Sequence, residues 1–145
     1  MRLKDILHAK GSKVWTVKEN QTIHEALQIL ITHKIGALVV MGDRHKIKGM
    51  LSERDIVRGC QQNIKKLDSM QVGDLMTREV ITASLNDEIG EIMAVMTEKR
   101  VRHIPVLDAG ELVGLVSIGD VVKSLLQDSE HQIRFLKEYL YGSGA

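Results

Sequence analysis

Gly49-Met50-Leu51-Ser52-Glu53-Arg54-Asp55-Ile56-Val57 returns further along the chain as Gly114-Leu115-Val116-Ser117-Ile118-Gly119-Asp120-Val121-Val122, displaced by 65 positions. Working outward, Ile35-Gly36-Ala37-Leu38-Val39-Val40 returns as Val101-Arg102-His103-Ile104-Pro105-Val106, and Val14-Trp15-Thr16-Val17 as Val80-Ile81-Thr82-Ala83, both at 66. One residue is therefore lost in a turn between the strands. Two copies of one unit span nearly the whole chain, so the reading of one copy decides the fold.

Each copy reads as short strand, helix, two strands, helix. Ile23, Ala26, Leu27, Leu30 and Ile31 recur at helical spacing and make one apolar face. Thr22 and Glu25 have the spacing of a capping box at its start. Ile89, Ile92, Met93 and Met96 repeat the stripe, with Asn86 or Asp87 expected as cap. The apolar runs 37–41 and 47–52 flank Gly42-Asp43-Arg44-His45-Lys46, a hairpin signal echoed by Asp108-Ala109-Gly110-Glu111. The expected class is α+β, two tandem β-α-β-β-α repeats and a C-terminal helix. A repeat of about 60 residues buries too little surface to be comfortable alone. Pairing the two sheets about an approximate two-fold axis remedies this and creates paired clefts. The expected boundaries are 3–66, 72–127 and a C-terminal segment, 128–145.

Composition narrows the function. The 145 residues carry a formal net charge of +1, which offers no broad basic field for nucleic acid or an anionic membrane. The longest apolar run, Ile35 to Met41, falls far short of the ~20 residues of a membrane helix. Lys4-Asp5 interrupts the N-terminus before a signal-peptide core develops, and Cys60 is the single cysteine, so a cytoplasmic location is expected.

Glycine, two apolar residues, Ser, two variable residues and Asp, occurring twice with Arg102-His103-Ile104-Pro105-Val106 beside the second copy, resembles the signature of CBS domains. The resemblance covers about residues 3–127. It implies a Bateman-type module whose paired repeats bind adenosine ligands, AMP first, with ADP, ATP or NADH as alternatives, and no catalytic cofactor. Ser52 and Ser117 fall where a strand gives way to a helix, so their hydroxyls and the free helix N–H groups can meet a phosphate. Asp55 and Asp120 can accept bonds from both ribose hydroxyls. The resemblance further places Thr16, Thr82, Gly36-Ala37-Leu38 and Arg102-His103-Ile104-Pro105 around base and phosphate. The copies differ: Gly36-Ala37 stands against Arg102-His103, and Arg54 against Gly119. The clefts are therefore expected to be inequivalent, with Arg102, His103, Ser117 and Asp120 forming the tighter one. The same residues have a plainer reading. A Ser at the N-cap with an acid three residues on is a common helix start, Thr16 and Thr82 are ordinary strand residues, and Pro105 is a residue that ends strand pairing.

His8, His24, His33, His45, His103 and His131 show no metal-ligand spacing, and no nucleophile motif or phosphate loop is present. A regulatory protein is expected rather than an enzyme, with a structural scaffold bearing vestigial clefts, or a hydrolase, as alternatives. Phe135, Tyr139 and Tyr141 are three of the four aromatic residues, and Ile133, Leu136 and Leu140 recur beside them at helical spacing. This face either covers its own module or joins a homodimer. A separate target protein is the other expected partner, since no catalytic or transport domain accompanies the repeats.

Overall fold

The computed structural model describes residues 1–142, so positions 143–145 of the expected C-terminal segment lie outside the described residues. Among the described residues six α-helices and six strands follow, with two short 3-10 turns (Asp43–His45 and Ile64–Ser69) between them, in the order α1 (Leu3–Lys10), β1 (Thr16–Val17), α2 (Ile23–His33), β2 (Ala37–Met41), β3 (Ile47–Ser52), α3 (Glu53–Asn63), α4 (Val72–Leu75), β4 (Ala83–Ser84), α5 (Ile89–Lys99), β5 (His103–Asp108), β6 (Glu111–Ser117) and α6 (Ile118–Tyr141). The strands form two three-stranded sheets, β1-β2-β3 and β4-β5-β6. In each, the first pair is parallel and the second antiparallel, because a helical crossover joins the first two strands and a tight turn the last two.

Ala37 pairs with Ser52, and His103 with Ser117, so the repeat seen in sequence is also a repeat in register. The lost residue lies in the hairpins: Met41 pairs with Ile47 across the longer turn, while Asp108 pairs with Glu111 across Ala109 and Gly110, both at positive φ. The Thr22 hydroxyl accepts from the Glu25 N–H at 3.1 Å, as the capping-box spacing requires. Helix α5 differs from expectation. Glu88 is its N-cap, and Asp87 instead accepts from the Ser84 N–H at 2.8 Å, closing the turn ahead of the helix. Ile31, read as part of the apolar face, is 74% exposed.

Strand β2 is apolar throughout because both its faces are covered. Leu38 and Val40 enter the first repeat's core, while Ala37 and Val39 join Met50, Leu112 and Leu115 in a seam between the sheets.

The two cores are interleaved. Leu3, Ile6 and Leu7 of α1 lie in the second repeat's core with Ile104, Val106 and Val121. Val72 and Met76, at the start of the second repeat, lie in the first repeat's core with Val17, Leu38 and Ile56. The signature glycines serve this arrangement. A Cβ on Gly49 would stand 2.7 Å from the Thr77 carbonyl oxygen and 2.9 Å from the Met76 sulfur, and one on Gly114 would meet Leu7. Helix α6 is the second repeat's last helix and the C-terminal helix in one, 24 residues or about 36 Å long. Its latter half leaves the module: Ile133, Phe135, Leu136, Tyr139 and Leu140 are all exposed.

Candidate functional site

Two clefts border the seam, and they meet at Gly36, Ala37 and His103. Both are built across the repeats. The Ser52 cleft, about 400 Å³, combines Ser52, Arg54 and Asp55 of the first repeat with Ile81, Arg102 and His103 of the second. The Ser117 cleft, about 320 Å³, combines Ser117 and Leu115 with Val14, Trp15 and Ile35. The expected grouping of Arg102 and His103 with Ser117 and Asp120 holds for His103 and Ser117, which share a cleft, but not for Arg102. Arg102 lines the Ser52 cleft, and His103 borders both. The reason is the seam itself, which sets each repeat's first strands against the other repeat's last strand.

Both Ser–Asp pairs form complete capping boxes. Asp55 accepts from the Ser52 N–H at 2.8 Å and the Ser52 hydroxyl at 3.1 Å; Ser117 N–H donates to Asp120 at 2.8 Å. The plainer reading of these residues is therefore realised. It does not consume them. Asp55, only 8% exposed, still borders its cleft, and its second carboxylate oxygen accepts from the Thr77 hydroxyl at 3.2 Å. Asp120 is absent from the cleft wall. The Lys10 ammonium, which does line the Ser117 cleft, stands 2.6 Å from its carboxylate and 2.9 Å from the Leu115 carbonyl.

Of the other expected residues, Gly36 and Ala37 border both clefts. Leu38 and Ile104 are fully buried in the repeat cores, so only their backbones can face a ligand. Pro105 is buried within β5. Thr16, Thr82 and Gly119 are exposed and line neither cleft.

Both clefts favour anions. The Ser52 cleft has five cationic side chains (Arg54, Arg58, Lys99, Arg100, Arg102) against Glu53, Asp55 and Glu79, while Lys10, Lys13 and Lys34 line the Ser117 cleft with no carboxylate in its wall, Lys10 alone being paired with Asp120 behind it. Trp15 stacks on His33 with ring centroids 3.5 Å apart, and the Lys13 ammonium lies 4.2 Å from its ring centre. Burial pushes the His103 imidazole below its ordinary pKa, against the pull of Asp120 and Glu53. Burial alone would raise the Asp120 carboxyl, but bonds from Lys10 and Ser117 outweigh it and hold the group low.

Several of these residues carry no sequence pointer. Lys10, at the end of α1, and Thr77, just past α4, reach their clefts from segments that cross between repeats, which a linear repeat does not reveal. Arg58 had a signal, one helical turn beyond Arg54 on the same face. Among the described residues, no group of three or more His, Cys, Asp or Glu side chains is placed to hold a metal ion.

The family model for the CBS domain matches residues 3–61 and 72–127. The chain is 34% identical over 138 residues to the Arabidopsis thaliana CBS domain-containing protein CBSX3, mitochondrial, covering 92% of this chain and 66% of that relative. A crystal structure of a CBS-domain protein from Agrobacterium tumefaciens superposes with a TM-score of 0.83 at 38% identity, over 86% of this chain and 98% of the other. The CBS domain pair of protein MJ0100, solved with 5'-methylthioadenosine and S-adenosyl-L-methionine, gives 0.78 at 28% identity, over 88% and 98%.

Proposed function

The chain belongs to the CBS-domain family, and from that premise we propose that it is a regulatory module binding adenine nucleotides, AMP first, in the clefts between its repeats. One observation carries the reading: the Ser52 cleft sets the buried Asp55 carboxylate beside Arg54, Arg58 and Arg102. A carboxylate next to arginines suits a ribose diol next to a phosphate, and about 400 Å³ suits a mononucleotide. The adenosine compounds bound by the MJ0100 pair support the ligand class. Occupancy passes to another chain through a change in shape or assembly. The protein performs no chemistry on the nucleotide, and its setting is the reducing cytoplasm that suits its lone Cys60.

A thermal-shift screen of AMP, ADP, ATP, NADH and S-adenosylmethionine tests this, because a ligand selective for the folded state stabilises it by mass action. AMP raises the melting temperature most. No shift with any adenosine ligand at millimolar concentration favours the scaffold with vestigial clefts. Steady cleavage of the nucleotide by pure protein with a divalent metal, abolished by a point mutation, favours a hydrolase.

The module is also a homodimer. The support is the exposed apolar face on the latter half of α6, which does not cover its own module.

A further inference from the structure

We infer that Lys10 is a built-in plug of the Ser117 cleft, which makes that cleft the second to fill and selects for adenosine ligands carrying a phosphate. The inference rests on the adenosine reading above. In that reading Asp120 is the ribose acceptor, yet the Lys10 ammonium already holds its carboxylate at 2.6 Å and anchors on the Leu115 carbonyl at 2.9 Å. A lysine ammonium has three donors, so one stays directed to neither partner. Lys10 lines the cleft, and the Asp120 carboxylate it holds does not.

The Ser52 cleft lacks this device. Leu7 and Met76 are equivalent, since each meets the signature glycine of the repeat it packs on. Counting three residues on from each, Lys10 corresponds to Glu79, which lines the Ser52 cleft with the opposite charge. That position supplies no ammonium, and Lys99, the lysine that lines the Ser52 cleft, forms no ion pair with Asp55 among the described residues. Asp55 keeps its place on the wall, and its partners there, the Ser52 N–H and the Ser52 and Thr77 hydroxyls, are all neutral.

The reversal determines how each cleft treats a ligand. A nucleoside entering the Ser117 cleft must break the Lys10–Asp120 pair and offers the ammonium no anionic replacement. A phosphorylated nucleoside gives it a new anionic partner within the same cleft, so the lysine changes hands rather than being stranded. The lysine thus opposes neutral adenosines and favours anionic ones.

Trp15 is the sole tryptophan and lines the Ser117 cleft, so its fluorescence reports that cleft while calorimetry counts both. The full chain and Lys10→Met are titrated with adenosine and with AMP. In the variant, adenosine binding reported by Trp15 tightens about fivefold, the order of a partly exposed ion pair, AMP binding there weakens, and the Ser52 cleft is unchanged. Unchanged or weaker adenosine binding at Trp15 overturns the inference. Hydrogen exchange without ligand gives an independent readout. The Gly11 N–H, bonded to the Leu7 carbonyl at the end of α1, exchanges faster in both Lys10→Met and Asp120→Asn. No change at Gly11 in either variant rejects the plug. Faster exchange with no heat from either ligand upholds the plug and overturns the adenosine reading.

Discussion

Val39 donates its backbone N–H to the Trp15 carbonyl at 3.3 Å, and the residue standing in Val39's place in the second repeat, Pro105, has no N–H to donate. The β4–β5 ladder accordingly begins at Ala83–Val106, one position later than Thr16–Val39 in the first sheet. The Ile81 carbonyl is left without a strand partner, and Ile81 lines the Ser52 cleft. It is a ready acceptor for an adenine amino group. Pro105→Ala restores the donor, so AMP affinity at the Ser52 cleft falls about fivefold, the worth of one hydrogen bond of ~1 kcal/mol. Calorimetry checks this, and undiminished affinity would place the base elsewhere.

His103 makes stability depend on pH. Burial lowers its pKa in the folded chain, so the unfolded chain takes up the proton first. Its contribution is complete above the ordinary imidazole value of about 6.5 and is lost as pH falls through the lowered folded value. Melting temperature falls more steeply between pH 7.5 and 5.5 in the wild type than in His103→Asn. Asp120 does not confuse the comparison, because its carboxyl is also lowered and matters only in stronger acid. Equal slopes in the two proteins would show that His103 accepts a proton as freely folded as unfolded. Bound AMP, placing phosphate near Arg102 and His103, flattens the wild-type slope.

Gly49→Ala destabilises the fold by about 1–3 kcal/mol, as overpacking against backbone does. Met50 and Thr77 exchange two backbone bonds, 2.9 and 2.8 Å, so the Thr77 carbonyl cannot retreat from the new methyl group without breaking them. The melting temperature drops by roughly 3–10 °C. Gly119→Ala is the control. Its Cβ would meet only the Ser117 hydroxyl oxygen at 3.6 Å, and stability stays within about 0.5 kcal/mol of the wild type.

Removing residues 129–145 halves the mass measured by light scattering while circular dichroism shows the repeats still folded. Phe135 and Tyr139, 72% and 79% exposed, are covered only in an assembly, and burying each is worth roughly 1.5–3 kcal/mol. Two-fold pairing is the commonest way to cover such a face. An intact chain that remains monomeric at high micromolar concentration would refute the dimer; a truncated chain that remains dimeric would refute only the role of α6.

Much of the fold is legible because local patterns carry it. Ser52 to Asp55 and Ser117 to Asp120 mark two strand-to-helix junctions, and the 3.6-residue period of Ile89, Ile92 and Met96 marks a buried helix face. Location is harder to read than type. Leu3, Ile6 and Leu7 form an apolar stripe that would fit either core, and only the three-dimensional packing assigns them to the second. The Lys10–Asp120 pair spans 110 positions, and no local spacing announces it. For the same reason Arg102 is expected beside Asp120, which belongs to its own repeat, and instead lines a cleft with Asp55 across the seam.

The exchange of α1 and α4 between the cores has a consequence for how the chain is made. Helix α1 is synthesised ahead of the core that receives it, where Val121 follows Leu3 by 118 residues. At about 5–20 residues per second, the wait on the ribosome is roughly 6–24 s. The first repeat closes earlier, once Val72 and Met76 have emerged. The nascent protein therefore passes through a stage in which its first repeat is complete and helix α1 is unclaimed, with Leu3, Ile6 and Leu7 open to a chaperone or to another nascent chain.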